Sequence, residues 1–191
     1  GGAKISDKIA VIENLLARCD KLIIGGGMAN TFLAAKGYAM QDSLVEKDAI
    51  ETAKAILAKS SDRLLLPVDA VIGDKFDANA ASQVVDVDKI PPGWRMMDIG
   101  PKSIAAFSDA LTGAKLVVWN GPMGVFEMPK FAEGTFAIAK LLATSGATTG
   151  SCGSRRECSI GTCRRDGSSS PVSSSPRRCT LRVPPCSLTT S

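Results

Sequence analysis

KLIIGGGMANTFLAAKG, residues 21–37, is a short apolar run, then three glycines, then a run of good helix formers that stops on another glycine. An apolar run closed by glycines is how a buried strand ends in a tight turn, and Gly37 is placed to cap the helix that MANTFLAAK builds. The stretch is therefore a βα unit, and its neighbours repeat the pattern. Upstream, Ile5, Ile9, Ile12 and Leu16 recur at helical spacing, with Val11 and Leu15 widening the stripe, so the spacing predicts an amphipathic helix over 6–19 that starts at Ser6 or Asp7.

Downstream, Ser43 and Glu46 read as a capping box for a helix over 44–59. RLLLPVD (63–69) is a further buried strand with an acidic polar end. Pro101 opens a helix through Ala110 that Gly113 stops, and KLVVWN (115–120) is the next strand. A helix over 129–144 follows, and GATT (146–149) reads as the approach to a strand that does not follow. Strands alternate with helices and no repeat of fixed period is present, which predicts an α/β fold: a doubly wound parallel sheet with helices on both faces.

The chain has 191 residues, 22% charged and 45% hydrophobic, enough to bury a core without disulfide staples. No stretch reaches the ~18 apolar residues of a membrane-spanning helix, and the first residues show neither a secretory nor a transit pattern. Histidine is absent, so neither a Ser-His-Asp triad nor a histidine metal site can be assembled, and catalysis would fall to Lys, Asp, Glu and backbone amides.

Composition breaks at the end of the body. Residues 150–191 hold seven Arg, eleven Ser and five of the six Cys, with no Lys and no aromatic; residues 1–149 hold all thirteen Lys, three Arg and all nine aromatics. Of the net charge of +4, the tail carries +5 and the body −1. The tail cysteines form no CxxC pair, so the expectation is an α/β domain over 1–149 and a disordered tail over 150–191.

Ligands of open parallel sheets bind at the carboxyl ends of the strands, here read as GGAK (1–4), GGGM (25–28), LPVD (66–69), DIGP (98–101) and WNGPMGVFE (119–127). Four of these five ends bring glycine, which lets a ligand approach the backbone and exposes helix amides to phosphate. Neither GxxxxGK[ST] nor GxGxxG is present. Lys4 and Lys8 flank Asp7 at a spacing of four, which aims two ammonium groups along one helix face and suits a polyphosphate; a solvated Lys-Asp-Lys surface is the alternative reading of the same trio.

GGAKISDKIAVIENLL, LIIGGGMANTFL, LLLPVDAVIGDKFD, IPPGW, DIGP and VVWNGPMGVFE, in this order and at these separations, closely resemble phosphoglycerate kinase over nearly all of residues 1–149. The resemblance implies most of that family's Rossmann-like nucleotide-binding half, in an incomplete form that no strand opens before Gly1. It implies a kinase, a transferase moving a phosphoryl group between ATP and 3-phosphoglycerate in glycolysis or carbon fixation, with ATP/ADP and Mg as cofactors. By similarity Lys4 is catalytic and bridges the transferring group, Lys8 grips the nucleotide phosphates, and Asp7 lies near the metal. Gly2, Ala3, Gly26, Gly27 and Gly100 would line the nucleoside slot, Asn120 would approach the phosphates, and Gly121, Met123, Phe126 and Glu127 would shape the adenosine side, with Glu127 on the ribose. Lysines with magnesium suffice for such chemistry, because phosphoryl transfer needs positioning and charge stabilisation more than a covalent relay.

The departure from the family begins after Thr149, where its GGGD[ST] and TGGGAS turns have no counterpart. The first of these carries the family's magnesium ligand and opens a helix, so the chain alone is expected to lack turnover. The tail has the composition that translation in a shifted frame would give. The resemblance further implies a monomer acting on 3-phosphoglycerate or 1,3-bisphosphoglycerate through a domain not in this chain, with no membrane and no specific nucleic acid partner, in the cytoplasm or the plastid stroma. A binding protein whose Arg-rich tail neutralises nucleic acid phosphates, and a truncation product with no function of its own, are the competing readings.

Overall fold

A computed structural model describes residues 1–152; of the tail expected to be disordered, 150–152 lie in a strand and the rest falls outside that range. The elements, in chain order, are α1 (Ile9–Leu16), β1 (Leu22–Ile23), α2 (Gly27–Ala35), α3 (Ile50–Ser60), β2 (Leu64–Leu65), β3 (Asp69–Gly73), β4 (Ser82–Asp86), β5 (Arg95–Ile99), α4 (Pro101–Leu111), β6 (Leu116–Asn120), α5 (Glu133–Thr144) and β7 (Thr148–Cys152). Strands β1 and β2 pair in parallel, as do β6 and β7, in keeping with the α/β reading. Among the described residues no helix is long and apolar enough to cross a membrane.

Two large apolar groups hold these elements, beside a small third one of Ala80, Met97 and Phe131. Ile12 and Leu16 of α1, Met28 and Phe32 of α2, Ala53 and Ile56 of α3, and Leu64 of β2 form one. Ala70 and Ile72 of β3, Met96 and Ile99 of β5, Phe107 of α4, and Ile138 and Leu142 of α5 form the other, with Leu33 of α2. The adjacent residues Phe32 and Leu33 thus point into different groups, which makes α2 the seam between them. At about 25 cal/mol per Å² of apolar surface, each buried Phe or Leu contributes roughly 1.5–3 kcal/mol.

Several local expectations are corrected. The first helix is shorter than 6–19: a 3-10 turn over Ser6–Lys8 leads into α1, neither has a side-chain cap, and Val11 is exposed, so the apolar stripe is narrower than predicted. The Ser43–Glu46 capping box does not form. Ser43 Oγ instead accepts the Met96 amide at 2.9 Å, Glu46 reaches Ile5 and Ser6, and α3 begins after a 3-10 turn over Lys47–Ala49. LPVD is not a strand end, since β2 stops at Leu65 and Asp69 opens β3, with Pro67 between them unable to donate to a ladder. The strand expected not to follow GATT does form, as β7, in register with β6 from Leu116 opposite Thr148 to Asn120 opposite Cys152. Finally, β3 is the centre of an antiparallel β4-β3-β5 group that the sequence reading did not place.

Two helices take their caps from a neighbouring strand. Asp69, 1% exposed at the start of β3, accepts the Lys102 and Ser103 amides of α4 at 2.9 and 2.7 Å and the Ser103 hydroxyl at 2.6 Å. Asp98, 1% exposed in β5, accepts the Gly134 amide of α5 at 2.7 Å and that of Ile99 at 2.9 Å. A carboxylate at a helix amino end satisfies donors that have no partner within the helix and meets the positive end of its dipole.

Candidate nucleotide site

Three turns meet where β1 and β6 end and the chain begins. Gly26 has φ +71, a conformation open to glycine, and donates to the Met123 carbonyl at 2.9 Å. A Cβ there would lie 2.9 Å from the Gly2 carbonyl oxygen and 3.0 Å from that of Pro122, so the glycine lets two other backbones close in. Gly26→Ala is therefore expected to destabilise the chain by roughly 1–3 kcal/mol, read as a lower thermal midpoint.

The Gly2 carbonyl accepts the Met28 amide at 2.9 Å at the start of α2, and Ala3 lies against Gly27. The Gly1 nitrogen donates to the Asn120 carbonyl at 2.6 Å, and Gly121 packs on Gly1. Lys8 closes the group. Its Nζ donates to the Gly1 carbonyl at 2.7 Å and to Asn120 Oδ1 at 2.6 Å, which joins residues 112 apart in sequence. Met123 is buried with its sulfur over Gly25.

Gly2, Ala3, Lys8, Gly26, Gly27, Asn120, Gly121 and Met123 are thus brought together. Lys4 and Asp7 are exposed on the same lysine turn, and neither is tied by a side-chain hydrogen bond among the described residues. Phe126 and Glu127 are exposed at the far end of the 121–127 loop. Gly100 is joined elsewhere: it is buried, donates to the Asp69 carbonyl at 3.1 Å, and its α-carbon is pressed against the Asp69 carboxylate.

The 121–127 loop rests on Asp98. Gly124 is packed so tightly against that carboxylate that a Cβ would overlap it, Val125 donates to the Met97 carbonyl at 2.9 Å, and the Met123 amide donates to Thr135 Oγ1 at 3.1 Å. Burial pushes the Asp98 carboxyl up to about 6; the Gly134 and Ile99 amides oppose that shift, and Glu133 adds to it.

Three residues of this neighbourhood were missed in sequence. Leu44, 57% exposed, has its Cδ2 3.1 Å from where a Gly27 Cβ would stand, so an apolar side chain flanks the glycine turn. Glu46 and Asp98 act on amides 41 and 36 residues away, and no local pattern encodes such partners.

Parallel strands ending in glycine turns, with a lysine bridging two of those turns beside a helix amino end, define an α/β protein with its candidate site at the carboxyl ends of its strands. The family model for phosphoglycerate kinase matches residues 1–172, and the chain belongs to that family. Among curated relatives, the phosphoglycerate kinase of Roseiflexus castenholzii is 58% identical over 152 residues, covering 78% of this chain and 38% of the relative. That of Limosilactobacillus reuteri is 60% identical over 150 residues, covering 78% and 37%. The structure of phosphoglycerate kinase from Coxiella burnetii superposes with a TM-score of 0.78 at 39% identity, covering 80% of this chain and 40% of that one. The Pyrococcus horikoshii structure gives 0.69 at 32% identity, covering 79% and 40%. The chain thus spans about two fifths of the length of these relatives.

Proposed function

We propose that this chain supplies the ATP/ADP-binding part of a phosphoglycerate kinase, and that the rest of the enzyme's length provides the 3-phosphoglycerate site. The observation that carries the reading is the Lys8 ammonium, held at the junction of the three turns by Gly1 and Asn120. A cation placed there, next to the amino end of α2, attracts polyphosphate, and the glycines let the turns close on one another around it.

The residues fit a nucleotide. Gly2, Ala3, Gly26 and Gly27 bring closely packed backbone with no side chain larger than a methyl, Leu44 and Phe126 offer exposed apolar surface, and Glu127 is an exposed acceptor for a ribose hydroxyl. Lys4 extends into solvent from the turn that holds Lys8, in a place to meet the transferring group. Magnesium, when bound, neutralises phosphate charge. Among the described residues no three acidic or cysteine side chains gather into a metal cluster, so Asp7 would serve a metal already held by the nucleotide's phosphates.

Calorimetric titration of the full chain tests this. Lys8→Ala is expected to weaken Mg-ADP binding about 10- to 100-fold, the equivalent of one charge-assisted contact, and to change adenosine binding far less. Glu127→Ala is expected to lower the affinity for both ligands. Equal losses of Mg-ADP and adenosine in Lys8→Ala, or no binding by the parent chain, would overturn the assignment. The chain by itself is expected to phosphorylate no 3-phosphoglycerate in a coupled assay, and turnover abolished by Lys4→Ala would refute that part.

A further inference from the structure

We propose that Glu46 is a positioning residue for the lysine turn: its carboxylate fixes the backbone from which Lys4 and Lys8 project, relative to the glycine turn before α2. The inference rests on reading that turn as the nucleotide-phosphate site. Glu46 Oε2 accepts the Ile5 amide at 2.9 Å and the Ser6 amide at 3.1 Å. These amides open the 3-10 turn over Ser6–Lys8, which has no side-chain cap of its own, so Glu46 supplies one from 41 residues away.

The main chain that bears this carboxylate is itself held. The Glu46 amide donates to Thr31 Oγ1 at 3.1 Å, and Thr31 is completely buried in α2, four residues beyond Gly27. One residue therefore ties α2, whose amino end carries the glycine turn, to the segment carrying both lysines. The Ser6 hydroxyl and amide, with the Ile5 amide and the nearby Lys4 ammonium, keep the Glu46 carboxyl below the usual range, so it is ionised at neutral pH.

An acid beside a polyphosphate site repels the ligand, and nothing about packing requires one here. The two amide bonds give it a use that offsets this repulsion. A positioned backbone holds the lysines near one geometry before the ligand arrives, which lowers the ordering cost of binding. Glutamine retains the acceptor oxygen and drops the charge, whereas alanine removes both.

Two measurements on the full chain decide the matter. Glu46→Ala is expected to speed exchange of the Ile5 and Ser6 amides about tenfold or more with the Ile72 amide unchanged, because the protecting bonds are local. It is also expected to weaken Mg-ADP binding about tenfold while adenosine stays within about twofold, and Glu46→Gln is expected to restore most of the loss. Unaltered amide exchange in Glu46→Ala, or equal losses of Mg-ADP and adenosine, would overturn the proposal. Should Glu46→Ala fail to fold, Glu46→Asp carries the same test, since it keeps the charge but withdraws the oxygen from the amides. If the parent chain binds no Mg-ADP, the nucleotide reading fails by itself, and the exchange of Ile5 and Ser6 still decides whether Glu46 holds the turn.

Discussion

Stability of the chain is expected to fall by on the order of 3 kcal/mol as pH rises from about 4 to about 6, and Asp98→Asn is expected to flatten that slope. The folded Asp98 carboxyl is raised from 3.8 to about 6, chiefly by burial. The native state therefore holds a proton that the unfolded state has already released across this window. That contribution is complete below the unfolded value and is lost as pH rises through the folded one. Glu46 and Asp86 are shifted the other way, so their contributions are lost on acidification, below their ordinary values of 4.5 and 3.8, and they do not mimic the Asp98 slope. Denaturant midpoints measured across the range are the check, and a parent chain with a flat or rising profile would contradict the assignment. Asp98→Ala should be worse than asparagine at every pH, by about 2–5 kcal/mol, since it leaves the buried Gly134 and Ile99 amides with no acceptor.

Asp69→Ala is expected to cost about 3–5 kcal/mol, enough to unfold a domain of ordinary stability at modest temperature. Three donors converge on this carboxylate: the Lys102 and Ser103 amides and the Ser103 hydroxyl. The same hydroxyl also receives the Val68 and Asp69 amides, so the loss would spread through a buried network rather than stop at one bond. Asp86→Ala is the contrast. It breaks exposed ion pairs to Lys89 and Lys102, and its thermal midpoint should barely move. Circular dichroism melts of the two variants give the comparison, and equal midpoints would show that the Asp69 network is not what secures α4.

The elements legible in the sequence were those whose signals are local. Periodicity and glycine punctuation placed α2, Pro101 placed the start of α4, and the apolar runs placed β1, β2 and β6. The misread capping box has a physical cause, side chains recruited by distant partners. Ser43 and Glu46 have the spacing of a capping box, but the Met96 amide and those of Ile5 and Ser6 claim them first. The β3–β5 group escaped notice because Ser82–Asp86 is an edge strand with Val84 exposed, so it lacks the apolar run that marked the other strands. At the site, the glycines and the Lys4–Lys8 spacing could be singled out from residue chemistry. The resemblance sent Lys8 and Asn120 each toward the phosphates but did not join them: 112 residues separate them and no pattern within either segment points to the other.

The strand-borne caps also set an order of assembly. An isolated peptide of α4 or α5 lacks the acceptor for its first amides, and helices this short are marginal in water without such help. Asp69 precedes Ser103 by 34 residues and Asp98 precedes Gly134 by 36, so in each case the acceptor is made before the helix that needs it. A chain emerging amino end first from the ribosome would already display each carboxylate when the corresponding helix appears. In refolding experiments, where all segments are present at once, closing those loops comes before the helix gains its cap. Variants at Asp69 and Asp98 should accordingly slow refolding if docking onto the strand belongs to the rate-limiting step, and only speed unfolding if it comes afterwards.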